Sequence, residues 1–155
     1  DLPGCVLELE MTERTLIDDA PDVMAVFAAL KRVGVTLSID DFGEGYSSLN
    51  YLRRLPIDGI KISHSFMHGI PALSTESAIC EALLHIGKTL GLEVVAEGVE
   101  TQEQHAFLLK LGAPSAQGFL YSRPLPASAL REFAKNWGQR HTARTPSPSQ
   151  SVDRL

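Results

Sequence analysis

Glu10, Asp40, Asp41, Lys61, Glu97 and Gln117 share one property, which is that each lies in or at the end of an apolar, strand-like run. Glu10 closes VLELE, the two aspartates follow VTLSI, Lys61 lies inside GIKIS, Glu97 follows LEVVA, and Gln117 is the second residue of the run AQGFLY. In a (β/α) barrel the parallel strands share a direction, so residues at their C-terminal ends meet at one mouth although they are distant in sequence. Four carboxylates and a lysine would converge there. Like charges at such spacing repel unless cations neutralise them, and clustered carboxylate oxygens suit magnesium or manganese. The chemistry implied is metal-assisted.

Each of these residues also has a plainer reading. An isolated pair such as Asp40-Asp41 is most simply a solvated turn or a helix cap. Glu10 and Glu97 at equivalent strand ends favour a shared role, because burial would drive such carboxyls neutral unless something cationic satisfied them. Lys61, flanked by isoleucines, is costly in a dry strand without an anionic neighbour, and from a rim position it can hold a phosphate oxygen or orient a nucleophilic water. A Schiff-base role for Lys61 in an aldolase-like barrel is the third option, and the strand-end acids argue against it. Glu13 and Glu100 stand three residues beyond Glu10 and Glu97, placed either to brace loops or to start helices. Gln117 followed by Gly118 combines a polar side chain with a close backbone approach. The glycine- and serine-rich stretch Gly43 to Ser48 is a mobile lid or a simple connection.

The elements that must position these residues follow from hydrophobic spacing. Strands are expected at Val6 to Glu10, Val35 to Ile39, Gly59 to Ile62, Leu92 to Ala96 and Ala116 to Tyr121, the second running into a flexible acidic loop. Helices are expected at Pro21 to Val33, Ser47 to Leu55, Thr75 to Leu90, Thr101 to Leu111 and Pro126 to Trp137, with Gly34, Gly91 and Gly112 as stops. This alternation demands a parallel sheet with right-handed crossovers, the α/β class. A complete barrel needs about 250 residues. The 155 residues here therefore read as five strand–helix units of a partial TIM-like (β/α) barrel, a fragment whose uncovered edges invite self-association. No repeat beyond the strand–helix period and no phosphate-binding glycine motif is present. From Gly138 to Leu155 the composition shifts to Ser, Pro, Thr, Gln and Arg, and residues 138–155 are expected to form a disordered tail.

Charge narrows the partners. The net charge is −5, and the basic residues are dispersed apart from Arg53-Arg54, which argues against a nucleic-acid polymer and requires cations for any anionic ligand. Cys5 and Cys80 make no disulfide framework, and the histidines lack zinc-ligand spacing. A cytoplasmic location is expected, since neither a membrane-length apolar run nor a signal-peptide layout is present. Any membrane anchor would lie in segments outside this chain.

Five segments carry a family resemblance: LELEMTE (Leu7 to Glu13), IDDFGEGYSSL (Ile39 to Leu49), IKI (Ile60 to Ile62), VVAEGVET (Val94 to Thr101) and AQGFLYSRPLP (Ala116 to Pro126). In this order they resemble the bacterial EAL-domain phosphodiesterases of the second messenger cyclic di-GMP. The resemblance runs from about Val6 to Phe133 and implies that residues 1–137 form the C-terminal portion of an EAL domain. It implies a modified (β/α) barrel that hydrolyses cyclic di-GMP to linear pGpG with two Mg2+ or Mn2+ ions. It further implies a homodimer through this domain and an upstream sensor or GGDEF-type domain.

Carried over residue by residue, Glu10 and Asp40 look like metal ligands, and Asp41 looks like a ligand of the second metal on the substrate side. Glu97 resembles the family's base or second-metal ligand, and Lys61 the lysine near the nucleophilic water. Gln117 resembles a substrate-lining residue. Glu13 matches a glutamate that anchors the Asp-Phe-Gly loop, with Glu100 in a similar bracing position. The chain departs from the pattern in three places. The Glu-Ala-Leu segment is absent, so the fragment alone is expected to be inactive. Ser63 stands where Lys-Ile is usually followed by Asp, and Glu44 where a small Thr or Ser is usual. These departures support an alternative, a degenerate EAL domain acting as a cyclic di-GMP receptor or protein-interaction module.

Overall fold

Strand runs separated by helices cannot pair as hairpins, and the remaining solution is side-by-side pairing in one direction. In the computed structural model, which describes residues 3–13, 21–45, 52 and 54–142, the strands do this. They are β1 (Glu8–Thr12), β2 (Thr36–Phe42), β3 (Gly59–Ile62), β4 (Glu93–Ala96) and β5 (Ser115–Ala116), all parallel and in the order β1-β2-β3-β4-β5. Sequential order is that of a barrel wall, here an arc whose outermost strands are β1 and β5. The helices among the described residues are α1 (Pro21–Arg32), α2 (His64–Met67), α3 (Ser74–Leu90), α4 (Gln102–Leu111) and α5 (Ala127–Thr142).

Alternation along the strands divides the sheet into two faces. Leu37, Ile39, Ile60, Ile62, Val94 and Ala96 are at most 2% exposed and form the core with Phe27, Cys80, Leu84 and Leu108 from the helices. Burying each large aliphatic side chain contributes roughly 1.5–3 kcal/mol, which makes this face the main stabilising element. The opposite face carries Ser38, Asp40 and Lys61. The parallel register sets Glu10 beside Ser38 and Lys61 beside Val95.

Caps fix the helix boundaries. Thr101 opens α4 with a reciprocal capping box to Gln104, and α3 and α4 end at Gly91 and Gly112 in the left-handed conformation, as their spacing predicts. Four elements before residue 122 differ from the sequence reading. β1 begins at Glu8, because Gly4–Val6 forms a 3-10 turn closed by Leu7 N–H donating to Gly4 O. β2 continues through Phe42, so both aspartates belong to the strand and not to a loop. β5 stops at Ala116: β4 ends at the same level, and Gly118 to Tyr121 turn back through hydrogen bonds to Val99 O and Gly118 O. The short α2, capped by Ser63 Oγ accepting from Ser65 N–H, was not foreseen. The helix expected over Ser47 to Leu55 lies mostly outside the described residues.

The described residues from Ser122 to Thr142 form a unit of their own. Its helix α5 continues to Thr142, past the compositional boundary at Trp137, with the Phe133 and Trp137 rings stacked one turn apart at 5.6 Å. No described helix is long and apolar enough to cross a membrane.

Candidate metal centre

Lys61 is the centre of the charged face. Ile60 and Ile62 point into the core, so alternation turns Lys61 the other way, where its side chain is 9% exposed. Its Nζ lies 2.9 Å from Glu10 Oε2, 3.2 Å from Asp40 Oδ1 and 2.7 Å from Glu97 Oε1. Glu10 arrives on β1, Asp40 on β2 and Lys61 on β3. Glu97 follows β4, its N–H continuing the ladder to Ile62 O at 3.1 Å. Burial works against the Lys61 charge, but the contacts with Glu97, Glu10 and Asp40 outweigh it and raise the pKa above the ordinary lysine value. The lysine is a fixed cation at any physiological pH.

Asp41 joins this group through a backbone irregularity. Adjacent strand residues normally face opposite sides, which would send Asp40 and Asp41 apart. The β2–β3 register shifts between Ile39 and Phe42, and Asp41 adopts a positive φ of 51°. That conformation is uncommon for residues other than glycine, asparagine and aspartate. Its effect is to bring ligand oxygens of Asp40, Asp41 and Glu97 within 4.8 Å of one another. Asp40 Oδ1 is buried and accepts no hydrogen bond, its 3.2 Å approach to Lys61 being an ion-pair contact only.

Three carboxylates thus contact one ammonium and a fourth, Asp41, lies beside two of them, an arrangement with a surplus of negative charge. Hard oxygen donors in excess fit a divalent cation such as Mg2+ or Mn2+. Asp40, Asp41 and Glu97 are the residues placed to hold one, with Glu10 adjacent through Lys61.

The loop after β2 is held by Glu13, which is 7% exposed and whose Oε2 accepts from Gly43 N–H and Gly45 N–H, both at 3.2 Å. A Cβ on Gly45 would meet that carboxylate, so a side chain there would push the Glu13 carboxylate aside. In the same loop Glu44 accepts a short hydrogen bond from the Ser63 hydroxyl. Hydrogen bonds from Ser63 and Ser65 hold the Glu44 carboxyl below its ordinary pKa. Asp41, Glu44 and His64 form a second group of close ligand atoms at this rim.

The segment after Glu97 is held differently from the sequence reading. The Glu100 side chain is exposed, and its N–H, with that of Thr101, donates to Gln104 Oε1 at 2.7 and 2.9 Å. Gln104 itself is 6% exposed and donates from Nε2 to Met67 O at 2.7 Å. The signal for it was the Thr-x-x-Gln spacing of a capping box. Gln117 is exposed: its N–H donates to Ala96 O at 2.8 Å and its carbonyl accepts from Val99 N–H, while its side chain makes no hydrogen bond with the charged group. The structure therefore unites Glu10, Asp40, Asp41, Lys61 and Glu97, places Glu13 under the adjoining loop, and leaves the Glu100 and Gln117 side chains outside the cluster.

A parallel α/β arc with acids gathered at its strand ends defines a partial TIM-like barrel with an acidic rim. Residues 2–124 match the EAL domain family model, and the chain belongs to the EAL-domain family. Cyclic di-GMP phosphodiesterase NbdA of Pseudomonas aeruginosa is 48% identical over 134 residues, covering 86% of this chain and 17% of that protein. The chain spans about a fifth of the length of the curated relatives it matches. Among solved structures, the PaMucR phosphodiesterase in complex with c-di-GMP superposes with a TM-score of 0.78 at 47% identity, over 83% of this chain and 52% of that one. The Klebsiella pneumoniae BlrP1 manganese/cyclic di-GMP complex gives a TM-score of 0.75 at 39% identity, over 79% of this chain and 31% of that one.

Proposed function

We propose that this chain supplies the strand-end carboxylates of a metal-dependent phosphodiesterase that hydrolyses cyclic di-GMP to linear pGpG. The observation that carries the proposal is the gathering of Glu10, Asp40 and Glu97 around Lys61, with Asp41 beside Asp40 and Glu97, in a chain whose relatives include named cyclic di-GMP phosphodiesterases. Glu10, Asp40, Asp41 and Glu97 are the residues that would hold two Mg2+ or Mn2+ ions. When bound, such ions polarise a phosphoryl oxygen and lower the pKa of a coordinated water to about 7. The Lys61 ammonium, fixed and always charged, orients the nucleophilic water and offsets charge developing on the phosphate oxygens. Glu97 is the residue that would accept the water's proton. Asp41 and Gln117 face the nucleotide, and Glu13, with the segment around Glu100, braces the loops that present these groups. In the intact protein the domain works as a homodimer, downstream of a sensor or GGDEF-type domain.

The decisive experiment uses the intact protein with cyclic di-GMP and either Mg2+ or Mn2+. The expected result is pGpG formation that stops on chelation. Tight nucleotide binding without pGpG would remove the enzyme reading and leave a receptor. One observation favours that second reading: the Ser63 hydroxyl is committed to Glu44, where the family resemblance has a carboxylate. If the receptor reading holds, Ser63→Asp gains turnover.

A further inference from the structure

We propose that Gln104, which carries no charge and hydrogen-bonds to none of the carboxylates around Lys61, is the positioning residue that sets the spacing of Glu97 against Lys61. The proposal rests on the metal-centre reading above. The Lys61 and Glu97 side chains meet at 2.7 Å, Lys61 on β3 and Glu97 just past β4, and each is followed by its own connection: Ser63 and α2 after β3, and Gly98 to Thr101 after Glu97. Those connections meet closely. Gly98 has a φ of 72°, and a Cβ there would stand 2.5 Å from His64 Cβ and 3.0 Å from His64 Cα, so the β4 connection rests directly on α2.

Gln104 is the side chain that holds them together. Its carbonyl accepts from Glu100 N–H and Thr101 N–H, and its amide nitrogen donates to Met67 O, the terminal residue of α2. The orientation of the amide is determined, because two of its partners can only donate and the third can only accept. Within a capping box a glutamate would serve the two N–H groups equally well, and the helix dipole would favour its charge. What a glutamate cannot do is donate to Met67 O. The presence of a buried amide at this position is therefore explained by the bridge between the two connections and not by the cap alone.

The test uses Gln104→Glu, Gln104→Met and Thr101→Ala in the intact protein, with Mn2+ affinity measured by electron paramagnetic resonance, thermal melting recorded, and kcat and KM measured on cyclic di-GMP. Gln104→Glu keeps the cap and loses the bridge, whereas Thr101→Ala loses its hydroxyl from the cap and keeps the bridge. Both Gln104 variants are expected to weaken Mn2+ binding by about 10–100-fold, the effect usual for groups that orient metal ligands. Their loss of turnover is expected in kcat more than in KM. Thr101→Ala is expected to lower the melting temperature and leave Mn2+ affinity unchanged. Wild-type Mn2+ affinity in Gln104→Glu, or an equal loss in Thr101→Ala, would overturn the proposal while leaving the metal centre intact. A wild-type protein that binds no Mn2+ would overturn both.

Discussion

Lys61 offsets part of the repulsion among Glu10, Asp40 and Glu97, and its raised pKa follows from them. A group whose native pKa exceeds its unfolded value stabilises the fold fully below the unfolded pKa, about 10.4 for lysine, and loses that contribution only as pH rises through the higher native value. The destabilisation caused by Lys61→Met, measured by denaturant unfolding, is accordingly expected to be constant between about pH 7 and pH 9. The same variant is expected to lower kcat by roughly 10²–10³-fold, the usual loss on removing one preorganised donor. A variant with unimpaired turnover would show that Lys61 serves structure only. Most of this cluster was legible in the sequence, because Glu10, Asp40, Lys61 and Glu97 stand within or just beyond recognisable strands, although β1 runs two residues past Glu10. Asp41 was expected in the same cluster as Glu97, but the backbone device that brings it there was not legible. Its placement depends on a register shift that defeats strand alternation, and neither periodicity nor propensity encodes such a shift.

At the scale of elements, the end of the sheet remote from the acids is tied by Asp58. This residue precedes β3, accepts from Lys31 Nζ on α1 at 2.6 Å and from Leu37 N–H on β2 at 2.8 Å, and so joins three elements. Desolvation opposes its charge, but the Lys31 and Leu37 hydrogen bonds outweigh this and hold its pKa below the ordinary aspartate value. A lowered native pKa stabilises the fold above the unfolded value of about 3.9 and loses that contribution as pH falls through the native one. Both side chains are a third or more exposed, at 38% and 33%, so solvent screening reduces the interaction. Asp58→Ala is expected to cost about 1 kcal/mol at neutral pH and progressively less in acid, as read from unfolding midpoints. A cost that grows on acidification would contradict this. Element boundaries were legible where a capping residue or a left-handed glycine marks them, as at Thr101, Gly91 and Gly112. They were not legible at β5, where AQGFLY has strand-like composition but β4 ends before it and leaves Gln117 onward without a partner strand.

At the scale of the whole molecule, the sheet is an arc, and among the described residues nothing pairs with the outer edges of β1 and β5. Val6 and Leu7, at the entrance to β1, are 61% and 49% exposed. Open parallel edges beside apolar surface favour association, so the 155-residue chain alone is expected to sediment as oligomers. A compact monomer would contradict that expectation. The parallel α/β class was legible from the alternation of strand and helix patterns, because connections of this length and right-handed crossovers leave few other topologies. The extent of the arc was not, since strand count alone does not say how far an arc curves toward closure. The central claim, that acids from separate strands form one centre for divalent cations, is tested most directly by Mn2+ titration of the intact protein followed by electron paramagnetic resonance. Saturable binding of two ions per chain, lost or severely weakened in Asp40→Asn, is the expected result. Absence of saturable binding, or an Asp40→Asn protein that binds as the wild type does, would contradict it.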